Sequence, residues 1–207
     1  MPKNPDLVFY EDTHSYFVGR TYLPSVTSIL KDCQLIQDTF FTRDARERGK
    51  NIHLATAMWD TGILDEKTVD PEWKPYLEAW KKFRHEADFE PDPEMIEKPL
   101  CAKDLSYAGT PDRVGLMKGV PVLIDIKTGA PQKYHPIQLA AYRRILPFPV
   151  RQDFTVCLRK NGTYNLVGNP LEAITEGHRW DTCLAMYKLM CEITRVNSVD
   201  EALFLRF

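Results

Sequence analysis

The apolar pattern is sharpest between Tyr107 and Tyr142. Val122, Ile124 and Ile126 recur with the period of two that places them on one face of a strand, with Leu123, Asp125 and Lys127 on the other. Gly109-Thr110-Pro111-Asp112 leads an earlier strand and Lys118-Gly119 reverses the chain, so the pattern predicts a hairpin with a carboxylate and an ammonium side by side on one face. Pro136 suits the first turn of the helix that follows, on which Gln138 and Tyr142 lie one turn apart on the same face.

The flanks read more simply. Leu7 to Tyr10 and Ser15 to Val18, around a polar turn at Glu11-Asp12-Thr13, predict a hairpin, and Ser25 is placed to cap a short helix running to Leu30. One helix is expected from Asp38 to Trp59 and another over 72–87, where Trp73, Tyr76, Leu77, Trp80 and Phe83 share a core-facing stripe. Asp88 to Pro93, acidic and proline-rich, reads as an exposed connection, and Met95 to Leu100 as a strand beside the one starting at Tyr107. Pro147-Phe148-Pro149 stops the helix over 136–146. A second hairpin follows, Val150 to Arg159 and Tyr164 to Val167 about Asn161-Gly162, and a closing helix runs from Leu171 to Arg195 with Ile174, Trp180, Leu184, Tyr187 and Met190 near helical spacing. These elements predict an α/β fold. The mixed central sheet holds the strands at 95, 105 and 122 plus the 150/163 hairpin, flanked by helices 38–59, 72–87, 136–146 and 171–195.

Composition narrows this frame. A chain of 207 residues, 43% apolar, suffices for one sizeable core, so a single domain over 1–207 is expected, with residues 1–37 as a small module packed on it. The net charge of −2 supplies no global basic field, so any nucleic-acid contact must be local. No apolar run approaches a membrane span, and Met1-Pro2-Lys3-Asn4-Pro5 lacks the apolar core of a signal peptide; a cytoplasmic protein without a membrane partner is the expectation. Five scattered cysteines, an odd number, suit reduced thiols better than a disulfide framework.

Two carboxylates on adjacent strands, Asp112 and Asp125, make a hard-cation site of the kind that hydrolysis of a phosphodiester requires. Lys127 beside them could orient or deprotonate the attacking water and stabilise developing negative charge. An Asp-x-Lys pair taken alone is more often a surface ion pair. On the helix before Trp59, Gly49 stands four residues ahead of His53 and clears space on the face from which the imidazole projects. Arg43, Arg46, Arg48 and Lys50 precede that histidine; they are either solvated charges balanced by Asp38, Asp44 and Glu47 or phosphate contacts. Arg43, Arg46 and Lys50, with Arg143 and Arg144 near the Gln138 face, form a candidate basic rim for a phosphate-bearing partner. His14 and Asp104 read as structural, the latter within a turn at Lys103-Asp104-Leu105.

The set Gly-Thr-Pro-Asp ending at Asp112, Asp-Ile-Lys-Thr-Gly from Asp125 and Gln-x-x-x-Tyr from Gln138 resembles the PD-(D/E)XK nuclease superfamily, and within it the RecB-like branch that includes phage and CRISPR-associated exonucleases. The resemblance implies a restriction-endonuclease-like core and Asp112, Asp125, Lys127, Gln138 and Tyr142 as catalytic residues. It implies a metal-ligand role for His53 through its Gly-x-x-x-His pattern, and makes Glu97 a further candidate ligand or else an exposed edge residue. Mg²⁺ or Mn²⁺ is the implied cofactor and DNA, single- or double-stranded, the implied partner, with a recombination or replication protein as a possible second. Some relatives hold an iron–sulfur cluster through one early and three late cysteines; here only Cys183 and Cys191 fall late, so no cluster is expected. The function implied is a metal-dependent deoxyribonuclease, an exonuclease working from DNA ends. A structure- or site-directed endonuclease of the same fold, an inactive nucleic-acid-binding or assembly protein, and hydrolysis of another phosphoester are the alternatives.

Overall fold

A computed structural model describes residues 6–37, 42–104, 106–168 and 173–194, with the side chains at 173 and 174 excepted. Asp38, Leu105, Leu171, Arg195 and the side chain of Ile174, which enter the expectations above, lie outside the described residues. The fold is α/β, a mixed sheet between two helical layers, as the pattern predicts.

Among the described residues, ten strands and five α-helices run in the order β1 (Leu7–Tyr10), β2 (Ser15–Val18), β3 (Thr21–Leu23), α1 (Val26–Asp32), α2 (Arg43–Asp60), α3 (Lys74–Glu86), β4 (Phe89–Pro91), β5 (Leu100–Cys101), β6 (Ala108–Gly109), β7 (Arg113–Met117), β8 (Val120–Lys127), α4 (His135–Ile145), β9 (Gln152–Leu158), β10 (Tyr164–Gly168) and α5 (Ala173–Thr194). The central sheet has the order β10-β9-β8-β7-β4, in which β8 and β9 are parallel and the other pairs antiparallel. A parallel pair needs a crossover, and α4 provides it.

The β7–β8 hairpin turns at Lys118 and Gly119, both at positive φ (50° and 76°), the conformation that a two-residue turn matched to strand twist requires. The period-two assignment of β8 also holds. Val122, Ile124 and Ile126 pack with Ile52 of α2 and Trp80 and Phe83 of α3, while Leu123 faces α1, α4 and α5 through Ile29, Leu139, Tyr142 and Trp180. Each face therefore carries its own apolar layer, and the polar residues of β8 are confined to its carboxyl end.

Two expectations are corrected. Met95 to Leu100 is not a strand of the central sheet: Pro93–Met95 is a 3-10 turn capped by Asp92, Glu97 takes a positive φ of 46°, and only Leu100–Cys101 pairs, with β6, in a separate two-stranded sheet. Prolines at 93 and 99, which have no N–H, together with the left-handed residue between them, forbid a continuous ladder. The sheet edge falls instead to β4, inside the stretch that composition marks as a loop. Gly115 makes this possible, because a Cβ there would lie 2.1 Å from the carbonyl oxygen of Glu90.

The N-terminal module is the predicted hairpin extended by β3, and the Ser25 side chain caps α1 by accepting from the Ser28 N–H. It docks on the core through a bridge from Ser25 to Ala108 and through Tyr16, fully buried, whose hydroxyl lies 2.8 Å from Thr110 Oγ1. His14 packs its ring edge-on against Phe9 and Tyr16, and Asp104 accepts from the N–H and hydroxyl of Ser106, both structural roles. The described cysteines are all free thiols. No helix among the described residues is long and apolar enough to cross a membrane.

Candidate metal centre

The predicted ligands converge where β7 begins and β8 ends. Thr42 caps α2, which buries Ile52, Ala55 and Thr56 and so aims the intervening His53 along the sheet end. A Cβ at Gly49 would meet only Thr128 Oγ1, at 4.0 Å, so the glycine is not needed to clear space for the histidine. His53 Nδ1 lies 3.2 Å from Glu97 Oε1 and 3.5 Å from Asp112 Oδ1, and Nε2 lies 3.0 Å from the carbonyl oxygen of Ile126. Ligand atoms of His53, Glu97 and Asp112 all fall within 4.8 Å of one another. Glu97 thus joins the cluster, from an irregular segment rather than a strand. Its backbone N–H is tied to the Asp112 carbonyl at 3.0 Å.

Asp125 sits beside this group, almost wholly buried at 1% exposure rather than presented on an open face. Lys127 Nζ donates to its Oδ1 at 2.8 Å, and its Oδ2 is buried without a hydrogen-bond partner. Asp112 Oδ2 accepts from the Ile126 N–H at 2.5 Å, which locks the two strands together at the site.

Electrostatics follow from packing these charges out of water. Burial, reinforced by the charges of Glu97 and Asp125 and opposed by His53, pushes the Asp112 carboxyl up to about 7. Burial alone would lower His53, but Asp112 and then Glu97 outweigh it and raise the imidazole to about 9. Burial also raises Asp125, against the pull of Lys127. For Lys127 itself burial is overcome by Asp125 and Asp112, so the ammonium holds its proton more firmly than a free lysine. Without a metal, the site is therefore protonated on His53 with Asp112 and Asp125 reluctant to ionise, a condition that a divalent cation would reverse.

Beneath the cluster lies a residue the sequence did not single out. Arg113, fully buried, donates to Asp60 Oδ2 at 2.6 Å, Glu97 Oε1 at 2.9 Å, the Asp112 carbonyl at 2.6 Å and Thr56 Oγ1 at 3.1 Å, and its guanidinium lies 5.6 Å from the Trp80 ring centroid. Asp60 is also held by Arg84 and by Trp80 Nε1. One arginine so fixes Glu97 in its strained backbone and ties α2 to β7. The hydrogen bond and charge of His53, then the ion pair from Arg113, keep Glu97 below the ordinary carboxylate range against its partial burial.

Gln138 and Tyr142 lie on one face of α4 as expected, but buried, with Gln138 Nε2 donating to the Tyr142 hydroxyl at 3.0 Å and Gln138 Oε1 unpartnered. Burial and the nearby charges of Asp112 and Asp125 raise the Tyr142 phenol well above its usual range. A Cβ at Gly109 would come within 2.7 Å of the Tyr142 ring, so the glycine of Gly-Thr-Pro-Asp is the space into which that ring fits.

The expected basic rim divides. Arg43 and Arg46 stand exposed on α2, and Lys50 makes a long, open ion pair of 3.6 Å with Glu11. Arg143 instead pairs with the buried Asp153, and Arg144 with Asp181 and the Gly177 carbonyl. Those two bind α4 to β9 and α5, which corrects their placement in the rim.

No family model matches the chain, and no curated protein does. Among solved structures the chain is similar to one described as "Crystal structure of SSO0001", with 12% identity and a TM-score of 0.31 over 78% of this chain and 84% of that one.

Proposed function

We propose that this chain is a metal-dependent nuclease that hydrolyses phosphodiester bonds of DNA, working from ends. The observation that carries the proposal is the convergence of His53, Glu97 and Asp112 within ligand distance, beside an Asp125 oxygen that is buried without a partner. That donor set, imidazole plus carboxylates with the Ile126 carbonyl alongside, fits Mn²⁺ as well as Mg²⁺. His53, Asp112, Asp125 and Glu97 would hold the ion. When bound, it neutralises phosphate charge and brings the pKa of water toward neutrality.

The residues of the chain divide the remaining work. Lys127, paired with Asp125, is placed to orient the attacking water and to donate to phosphate oxygens as charge develops. Asp125 holds that ammonium in place at 2.8 Å. Gln138 and Tyr142, both buried and bonded to each other, back the site, with the Tyr142 phenol in the field of Asp112 and Asp125.

End-labelled linear DNA and covalently closed circles, incubated with Mg²⁺ or Mn²⁺, test the reading. Nucleotide release from the linear form alone, lost in Asp125→Asn, is the expected result. Cutting of closed circles would replace the exonuclease with an endonuclease. No hydrolysis of either, or hydrolysis undiminished in Asp125→Asn, removes the proposal.

A further inference from the structure

A cleft of about 480 Å³ opens at the carboxyl ends of β8 and β9, within the range of about 300–1,000 Å³ that small-ligand sites occupy. In open α/β sheets the carboxyl ends of parallel strands are where ligands bind, and β8 and β9 are the parallel pair here. The cleft begins at Thr128, the residue after Lys127, and includes Cys157, the partner of Lys127 across the ladder. It therefore adjoins the metal centre without containing any of its ligands.

Its lining has a definite chemistry. Tyr76, Pro131 and Leu158 give apolar wall, Arg159 and Lys160 stand exposed at the mouth, and no lining residue is acidic in a chain of net charge −2. Neither Arg159 nor Lys160 is held in an ion pair with any described residue. Arg48 lies over the Tyr76 ring, 5.9 Å from its centroid, with Nε buried and unpartnered, which adds a third cation behind the wall. An apolar slot rimmed by cations suits a base with its own phosphate, and the Asn165 side chain within it offers donor and acceptor to a base edge.

We propose that this cleft seats one unpaired nucleotide of the DNA strand whose neighbouring phosphate reaches the metal centre. The proposal rests on the nuclease reading for its substrate and deepens it: the strand entering the site is single, or has been unpaired by at least one nucleotide. A base inside a duplex is stacked on both sides and cannot enter a slot with walls of its own.

Binding of a labelled ten-nucleotide thymidine oligonucleotide and of a blunt duplex, followed by anisotropy over a salt series in Ca²⁺, tests it. The exposed pair Arg159→Glu with Lys160→Glu should weaken single-strand binding at least tenfold and lower its salt slope by roughly 0.7 per lost contact. Asn165→Trp fills the slot without changing charge. It should weaken the single strand and leave the duplex unaffected, which a diffuse electrostatic surface would not produce. Mn²⁺ affinity measured by calorimetry should stay at the wild-type value in both variants. Wild-type affinity for the single strand in either variant overturns the seat, as does equal weakening for duplex. Cleavage assayed separately keeps the two proposals apart: hydrolysis with unchanged oligonucleotide binding in the variants removes the seat alone, whereas slot-dependent binding without hydrolysis removes the nuclease alone.

Discussion

Arg113→Met is the most informative change in the protein. Methionine approximates the volume of the arginine stem and so isolates the loss of charge and hydrogen bonds from the making of a cavity. Four bonds disappear, to Asp60, Glu97, the Asp112 carbonyl and Thr56. Breaking one side of a buried ion pair costs about 3–5 kcal/mol, because the partner is left buried and unpaired. Here Asp60 keeps Arg84 and Trp80 Nε1, and Glu97 keeps His53, so the lower end, about 3 kcal/mol, applies. With a urea m-value of about 1–3 kcal/mol/M, the unfolding midpoint should drop by roughly 1 M or more. Glu97 should also leave its left-handed conformation once the guanidinium is gone, weakening Mn²⁺ binding about 10 to 100-fold by calorimetry, as other losses around metal sites do. Stability within about 0.5 kcal/mol of wild type, the range of an ordinary surface change, would refute the reasoning. So would an unperturbed metal affinity in a destabilised variant, which would leave Arg113 a strut for the fold alone.

The pH dependence has a definite sign. Asp112 is raised from 3.8 to about 7 and His53 from 6.5 to about 9, so the stability their protonated forms give is complete below those starting values and lost as pH rises through the folded ones. The melting temperature of metal-free protein should therefore fall as pH rises from about 4 to 9, through Asp112 up to about 7 and through His53 from about 6.5 to 9, while the increment from added Mn²⁺ grows over the same window; a flat metal-free profile would contradict this. Lys127→Ala should slow single-turnover cleavage while leaving metal affinity nearly intact, since a protonated ammonium is no ligand, and an affinity loss equal to that of Asp125→Ala would reassign it as an organiser of the site. Gly115→Ala, with its Cβ 2.1 Å from the Glu90 carbonyl, should detach β4, costing about 1–3 kcal/mol and speeding amide exchange at Phe89. Gly129→Ala, where an added Cβ has nothing within 4 Å, should change stability by less than about 0.5 kcal/mol in the same denaturation assay.

What could be read in the chain was what local rules determine. The β7–β8 hairpin follows from alternation and a two-residue turn, and the face shared by Gln138 and Tyr142 follows from helical spacing. Glu97 reached the cluster by a route that no periodicity encodes, a single positive φ between two prolines. Arg113 escaped notice because an arginine after an aspartate in a strand looks like a solvent-facing charge, while its partners Asp60 and Thr56 lie more than fifty positions away. Arg143 and Arg144 err the same way: basic residues at a helix end read as free until Asp153 and Asp181 arrive from other elements. β4 was hidden by composition, since acidic and proline-rich strands are tolerated only at an edge, and an edge is a property of the assembled sheet.

That edge has a further bearing on how the molecule behaves in company. β4 is three residues long and finishes on Pro91, which has no N–H to offer an incoming strand. The opposite border of the sheet, β10, runs five residues and is paired on one side only among the described residues. Aggregation by strand addition is thus blocked on one flank and open on the other. A lysine in place of Leu166, 37% exposed on β10, would put a gatekeeper charge on the unprotected flank and extend the concentration range over which the protein stays dispersed.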